Sequence, residues 1–132
     1  MAKTQPSISV MIVNDNQDVC ELWKRIINTT EDMHCAGFAL DGQEAVEKAR
    51  EMRPDVIMMD VMMPRMHGYD ATRIILEERP ETLVIVYSAF TGTRDEAFRA
   101  GAVEYLLMPI DPDQLRDTIR RVVLERAQKS DA

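Results

Sequence analysis

The sequence predicts an α/β fold in which five parallel strands alternate with five helices, a (βα)5 chain. Three observations carry that prediction. Five short apolar runs, rich in β-branched residues, are spaced along the 132 residues. Each is followed by a segment whose apolar residues recur three and four positions apart. No repeat, linker or low-complexity stretch interrupts the alternation. A strand buried on both faces reads as a continuous apolar run, whereas a helix lying on a sheet needs only one apolar stripe. Strict alternation of the two calls for right-handed crossovers and a parallel sheet covered on both sides.

The first run is Ile8 to Val13, closed by Asn14-Asp15-Asn16. From Asp18 the spacing changes: Val19, Leu22, Trp23, Ile26 and Ile27 form one helical stripe, with Trp23 as its core anchor. Cys35 to Leu40 is a weaker second strand. Asp41-Gly42 opens a helix carrying Ala45, Val46, Ala49 and Met52 on one face, stopped before Pro54. Asp55 to Asp60 is the third strand and ends on a carboxylate. Gly68 to Glu78 is the third helix, with Ala71, Ile74 and Ile75 inward and Pro80 beyond it. Thr82 to Tyr87 is the strongest strand signal in the chain. Thr91 to Ala100 is a short helix with Gly101 placed as a left-handed cap. Val103 to Leu107 is the fifth strand, ended by Met108-Pro109. Asp113 to Gln128 is the last helix, with Leu115, Ile119, Val122 and Val123 as its stripe.

Composition removes several function classes. Hydrophobic residues make up 45% and charged residues 30%, as in an ordinary soluble domain, and at this length one domain with its own core is expected. The formal net charge of −7 argues against a polyanion-binding face and direct nucleic-acid contact. No apolar run approaches the roughly 18 residues of a spanning helix, and the N-terminal run is too short for a signal peptide, so a cytoplasmic protein is expected. Cys20 and Cys35 form no CxxC or Cys/His cluster, and two reduced thiols are expected.

In an open parallel sheet, ligands bind beyond the carboxyl ends of the strands. The residues just past those ends therefore matter most. They are Asn14-Asp15-Asn16, Asp60 with Val61-Met62-Met63-Pro64, Ser88-Ala89-Phe90, and Met108-Pro109. Two carboxylates in one pocket repel each other, and a divalent cation with oxygen ligands relieves that cost. Asp15, Asp60 and a backbone carbonyl near Met62 would suit Mg²⁺. Taken singly, Asp15 reads equally as a helix cap and Asp60 as a solvated loop acid. The first loop is acidic and lacks glycine, which argues against a cradle for a flavin or nucleotide phosphate.

The segment Asp60-Val61-Met62-Met63-Pro64-Arg65-Met66-His67-Gly68 resembles the D-x-x-M-P-x-M-x-G segment of response-regulator receiver domains, and the element order is similar to that of the chemotaxis-type receivers. The likeness covers residues 7–127, with 1–6 and 128–132 as short flexible termini. It implies a doubly wound, flavodoxin-like sheet of strand order 2-1-3-4-5. It also implies two-component signalling, in which a histidine kinase or phosphotransfer protein donates a phosphoryl group with Mg²⁺ as cofactor. By the same resemblance Asp60 is the phosphoacceptor and also a metal ligand, Asp15 is a second ligand, and the Met62 carbonyl is a third. Asn14 is then a weak or water-mediated partner of the metal. Ser88 is implied as the switch hydroxyl, Tyr105 as the aromatic switch, and the face built by the fourth helix, fifth strand and fifth helix as the docking surface for a downstream protein.

Two positions depart from the family pattern. Asn14 stands where the acidic pair has its first carboxylate, and Met108 where a lysine normally precedes the proline. The changes cancel in formal charge but not in chemistry, because a thioether offers no donor to a phosphoryl oxygen. Slow or altered phosphotransfer is expected. The alternative is a pseudo-receiver, a phosphorylation-independent interaction module. An independent enzyme is disfavoured, since aspartyl-phosphate phosphatases need a second Asp where this chain has Met62. Arg65 and Arg94 are candidates for the missing cation or else solvated residues. His67 reads as an exposed loop histidine. Met58 and Met59 read as core. Arg99, Arg116, Arg120 and Arg121 read as a basic docking face or a solvated one. No DNA-binding helix pair is evident, so the chain reads as a stand-alone regulator or a receiver excised from a longer protein.

Overall fold

The structure, a computed structural model, describes residues 7–61, 67–89, 92 and 94–130. Its elements in chain order are β1 (Ile8–Val13), α1 (Gln17–Asn28), β2 (Met33–Ala39), α2 (Gly42–Met52), β3 (Val56–Asp60), α3 (Gly68–Glu78), β4 (Leu83–Ser88), α4 (Arg94–Ala100), β5 (Glu104–Leu107) and α5 (Pro112–Ser130). The five strands form one parallel sheet in the order β2-β1-β3-β4-β5. Fold class, element order and strand order are those the sequence implies.

Side chains alternate across the sheet and build two cores. Met11, Val13, Ile57, Met59, Val84, Val86 and Tyr105 face α2, α3 and α4. Val10, Ile12, Val56, Met58, Ile85, Tyr87 and Leu106 face α1 and α5, where Trp23, Ile27, Leu115 and Ile119 meet them. Met58 and Met59 are both fully buried, on opposite faces, so they are core and not rim. Trp23 is the anchor expected of it. No described helix is long and apolar enough to cross a membrane.

The starts of β3, β4 and β5 each lie one residue later than the sequence reading, and β4 runs on to include Ser88; β2 and α5 differ by more. β2 begins at Met33, because it is an edge strand whose only neighbour is β1, paired from Ile8↔Met33 to Val13↔Ala39. With one neighbour it is fully buried only at Met33 and Ala39, and the exposed His34 hides its start from a search for continuous apolar runs. The described α4 begins at Arg94, while residues 91 and 93 lie outside the described set. α5 starts at Pro112 and continues to Ser130. Asp111 caps it, its Oδ2 accepting from the backbone N–H groups of Asp113 (3.0 Å) and Gln114 (3.3 Å). Proline in the first helical position needs no N–H partner there.

Capping also fixes the start of α2, and close packing that of α3. Asp41 Oδ1 accepts from Glu44 N at 2.8 Å and Glu44 Oε1 accepts from Leu40 N at 3.0 Å, a reciprocal arrangement at the start of α2. Gly68 opens α3 because no side chain fits there: a Cβ would lie 2.2 Å from the Asp60 carbonyl oxygen. The end of the signature segment is therefore a packing requirement that seats α3 directly on the end of β3.

Candidate functional site

The carboxyl edge of the sheet carries Asp15 in the loop after β1 and Asp60 at the end of β3. Val13 pairs with Met59, so the loop after β1 lies beside Asp60 at the end of β3. Asp60 in turn pairs with Tyr87 on β4. Asp60 is half-buried, and its Oδ1 accepts from Val61 N at 2.8 Å. Asp15 is exposed. It is not the cap of α1, a role taken by Asn16, whose Oδ1 accepts from Val19 N at 3.2 Å. Asp15 is thus left out of the helix cap, in the exposed loop between β1 and α1.

Asn14 is more deeply committed than a weak metal partner would be. Its four polar groups all have protein partners. The backbone N–H donates to Ala39 O at 3.1 Å, and the carbonyl accepts from the Cys20 thiol at 3.4 Å. Oδ1 accepts from Asn16 N at 2.8 Å, and Nδ2 donates to the Tyr87 hydroxyl at 2.9 Å. Tyr87 completes the chain by donating to Val13 O at 3.1 Å.

Sequence reading missed Tyr87 as a site residue and took it for the end of a strand. The available signal was a hydroxyl closing an otherwise aliphatic run, since a buried tyrosine O–H needs a partner. β3 lies between β1 and β4, so the phenol spans about 10 Å of sheet to reach Asn14. By the two-residue period of β3 and β4, it passes on the same face as Asp60. Burial pushes the Tyr87 hydroxyl far above its ordinary range; the Asn14 contact opposes this, and the charges of Asp60, Cys20 and Asp15 add to it. Tyr87 therefore stays protonated. Burial likewise pushes the Cys20 thiol up to about 11.

The other expected residues are found in different states. Ser88 is buried, and its carbonyl accepts from Met108 N at 2.8 Å, which ties the loop after β5 to the end of β4. The Met108 side chain is 39% exposed, next to the cis Met108–Pro109 bond. Tyr105 is buried among the residues facing α2, α3 and α4. Met62, with Met63, Arg65 and Met66, lies outside the described residues. Among the described residues no group of three or more His, Cys, Asp or Glu side chains could hold a metal. The donors that the edge does offer, two carboxylates, are hard oxygen ligands that fit a cation such as Mg²⁺, which keeps most of its waters.

Two readings need correction. His67 is not an exposed loop residue: it is half-buried and caps α3, its Nδ1 accepting from Tyr69 N at 3.2 Å, with the two rings 4.8 Å apart. Arg94, a candidate for the missing cation, has its guanidinium over the Phe98 ring at 5.4 Å. The arginines of α5 are not an open basic face. Arg116 binds Thr30 and Asp113, Arg120 forms a two-bond pair with Asp32, and Arg121 binds Glu104 and Glu125. The large hydrophobic residues exposed on α4, on β5 and in the loops flanking β5 are Phe98, Val103, Leu107 and Met108, beside the exposed Arg94, Asp95, Glu96 and Arg99 of α4.

A family model described as the response regulator receiver domain matches residues 10–120. The chain is 36% identical over 115 residues to the chemotaxis protein CheY of Thermotoga maritima, covering 86% of this chain and 95% of that one. It is 40% identical over 130 residues to a protein-glutamate methylesterase/protein-glutamine glutaminase of the same organism, covering 96% of this chain but only 37% of the enzyme. Among solved structures, the CheX-CheY-BeF3-Mg complex from Borrelia burgdorferi superposes with a TM-score of 0.77 at 26% identity, over 98% of this chain and 92% of that chain.

Proposed function

We infer, from the premise that this chain belongs to the response regulator receiver domain family, that Asp60 accepts a phosphoryl group from a phosphohistidine on a histidine kinase or phosphotransfer protein. The observation that carries this reading is the placement of Asp60 at the end of β3 beside the loop bearing Asp15. Asp60, Asp15 and the Met62 carbonyl would hold Mg²⁺, which when bound supplies charge stabilisation to the transferring phosphoryl oxygens. The Borrelia complex, which contains Mg, supports that cofactor.

The chain's own residues divide the remaining work. Asp60 contributes the attacking carboxylate oxygen, held by the Val61 N–H at its other side. Ser88 sits at the adjacent strand end, and a rotation of its hydroxyl toward the pocket would place a donor on a phosphoryl oxygen. Its carbonyl carries Met108 N, so movement of the Ser88 loop is passed to β5 and to Tyr105. The apolar rim of Phe98, Val103, Leu107 and Met108 is then the surface whose shape changes, and a downstream protein docks there through apolar contact.

With methionine at position 108, transfer lacks one charged donor. Losing such a donor costs about 3 kcal/mol, or about a hundredfold in rate. The commitment of Asn14 to Tyr87 favours a second reading, in which the fold works as an interaction module without phosphate. Incubation with Mg²⁺ and acetyl phosphate, read by intact mass, separates the two. One added phosphoryl group, absent from Asp60→Asn, supports the first. No gain under saturating donor supports the second.

A further inference from the structure

We propose that Tyr87 is a positioning residue of the acidic pocket, whose hydroxyl holds position 14 as a neutral hydrogen-bond donor and so limits the pocket to two carboxylates. The argument is one of proton inventory. The Asn16 backbone N–H can only donate, so the oxygen of the Asn14 amide faces it, at 2.8 Å. The Nδ2 group is thereby turned to Tyr87, whose oxygen accepts it at 2.9 Å. The single phenolic proton goes to Val13 O at 3.1 Å. Tyr87 is 1% exposed and Asn14 6%, so water does not stand in for any of these partners.

A carboxylate at position 14 would meet the phenol oxygen with no proton between them, unless the hydroxyl abandoned the Val13 carbonyl. Either outcome leaves a buried polar atom without its partner. An amide satisfies all three hydrogen bonds at once. Tyr87 and Asn14 are in this sense one unit, and the loss of a carboxylate from the pocket follows from a residue two strands away. The consequence for cation binding rests on the reading of Asp15 and Asp60 as a Mg²⁺ pair; the hydrogen-bond assignment does not.

Two measurements on the full chain test this. The first follows hydrogen exchange of the Asn14 side-chain amide by NMR, without metal or phosphoryl donor, in the native protein and in Tyr87→Phe. Exchange about tenfold faster in the variant supports the assignment, as the loss of one buried hydrogen bond predicts. Equal rates would overturn it. The second compares Mg²⁺ affinity in the native protein, Tyr87→Phe, Asn14→Asp and the double variant. The gain in affinity from Asn14→Asp is expected to be about tenfold larger in the Tyr87→Phe background. An equal or smaller gain there would mean that the phenol ignores or assists the carboxylate, and would overturn the proposal; a purely structural tyrosine would shift both backgrounds alike. Absence of Mg²⁺ binding in all four proteins would sink the cation reading of Asp15 and Asp60, while the exchange comparison alone still decides for or against Tyr87.

Discussion

Replacing Gly68 by alanine sets two physical effects of opposite sign against each other. Gly68 is the first residue of α3, where alanine should favour the helix by up to about 1 kcal/mol. Against this, the added Cβ would sit 2.2 Å from the Asp60 carbonyl oxygen and 3.1 Å from Val61 Cα. Both neighbours are backbone, so neither can swing aside as a side chain would. Ordinary contact requires α3 and the end of β3 to separate by about 1 Å. Overpacking of this kind costs about 1–3 kcal/mol, and strain on the Gly68 N to Val61 O bond, 3.0 Å long, adds about 1 kcal/mol. The net expectation is destabilisation by about 2–3 kcal/mol, a fall of about 10 °C in Tm for a chain of this length. Thermal and urea unfolding followed by Trp23 fluorescence reads the change, because Trp23 lies in the core between α1, α5 and the sheet. A Tm equal to or above that of the native protein would refute the close-approach argument and leave helix propensity as the only effect at this position.

Three further outcomes are expected. Cys20 is fully buried and its thiol is raised from an ordinary value of 9.0 to about 11, so the folded state holds its proton more tightly than the unfolded state; stability is complete below pH 9 and declines as pH rises from 9 towards 11. The contribution is at most about 2–3 kcal/mol, and Cys20→Ala should flatten the loss between pH 9 and 10 in a series of urea unfolding curves. The two-bond pair between Arg120 and Asp32 is about half exposed, so Asp32→Ala should cost under about 1 kcal/mol, with the difference shrinking as salt is raised. His67→Asn keeps a side-chain acceptor at the start of α3 and should hold the Tm within about 2 °C of native, whereas His67→Ala loses the cap and about 1 kcal/mol.

The strands that lie inside the sheet were legible because burial on both faces leaves a local mark, a continuous apolar run. β3 and β4 carry it plainly, and β3 ends on Asp60 as read. β2 was legible only in part, since an edge strand with one neighbour is mostly half-buried and its exposed His34 breaks the run. The acidic pair was legible for a related reason: the fold places ligands past the strand ends, so two carboxylates in those positions already share an edge. The roles of neighbouring polar residues were not. Asp15 and Asn16 are equally good caps by composition, and only the backbone path after β1 gives the role to Asn16. The arginines of α5 form a stripe in sequence, yet Asp32, from the other end of the chain, takes up Arg120.

The sequence by itself determined the alternation of strands and helices, the two cores, and the presence of Asp15 and Asp60 at one edge, because each of these depends on residues a few positions apart. Tertiary structure alone decided that Tyr87 reaches Asn14 across β3, that Gly68 must lack a side chain, and that Phe98, Leu107 and Met108 stay exposed while Arg120 of α5 is paired. Those outcomes depend on strand order and on approaches of one ångström, and a hydrogen bond between strands that are not neighbours leaves no period in the sequence from which to read it.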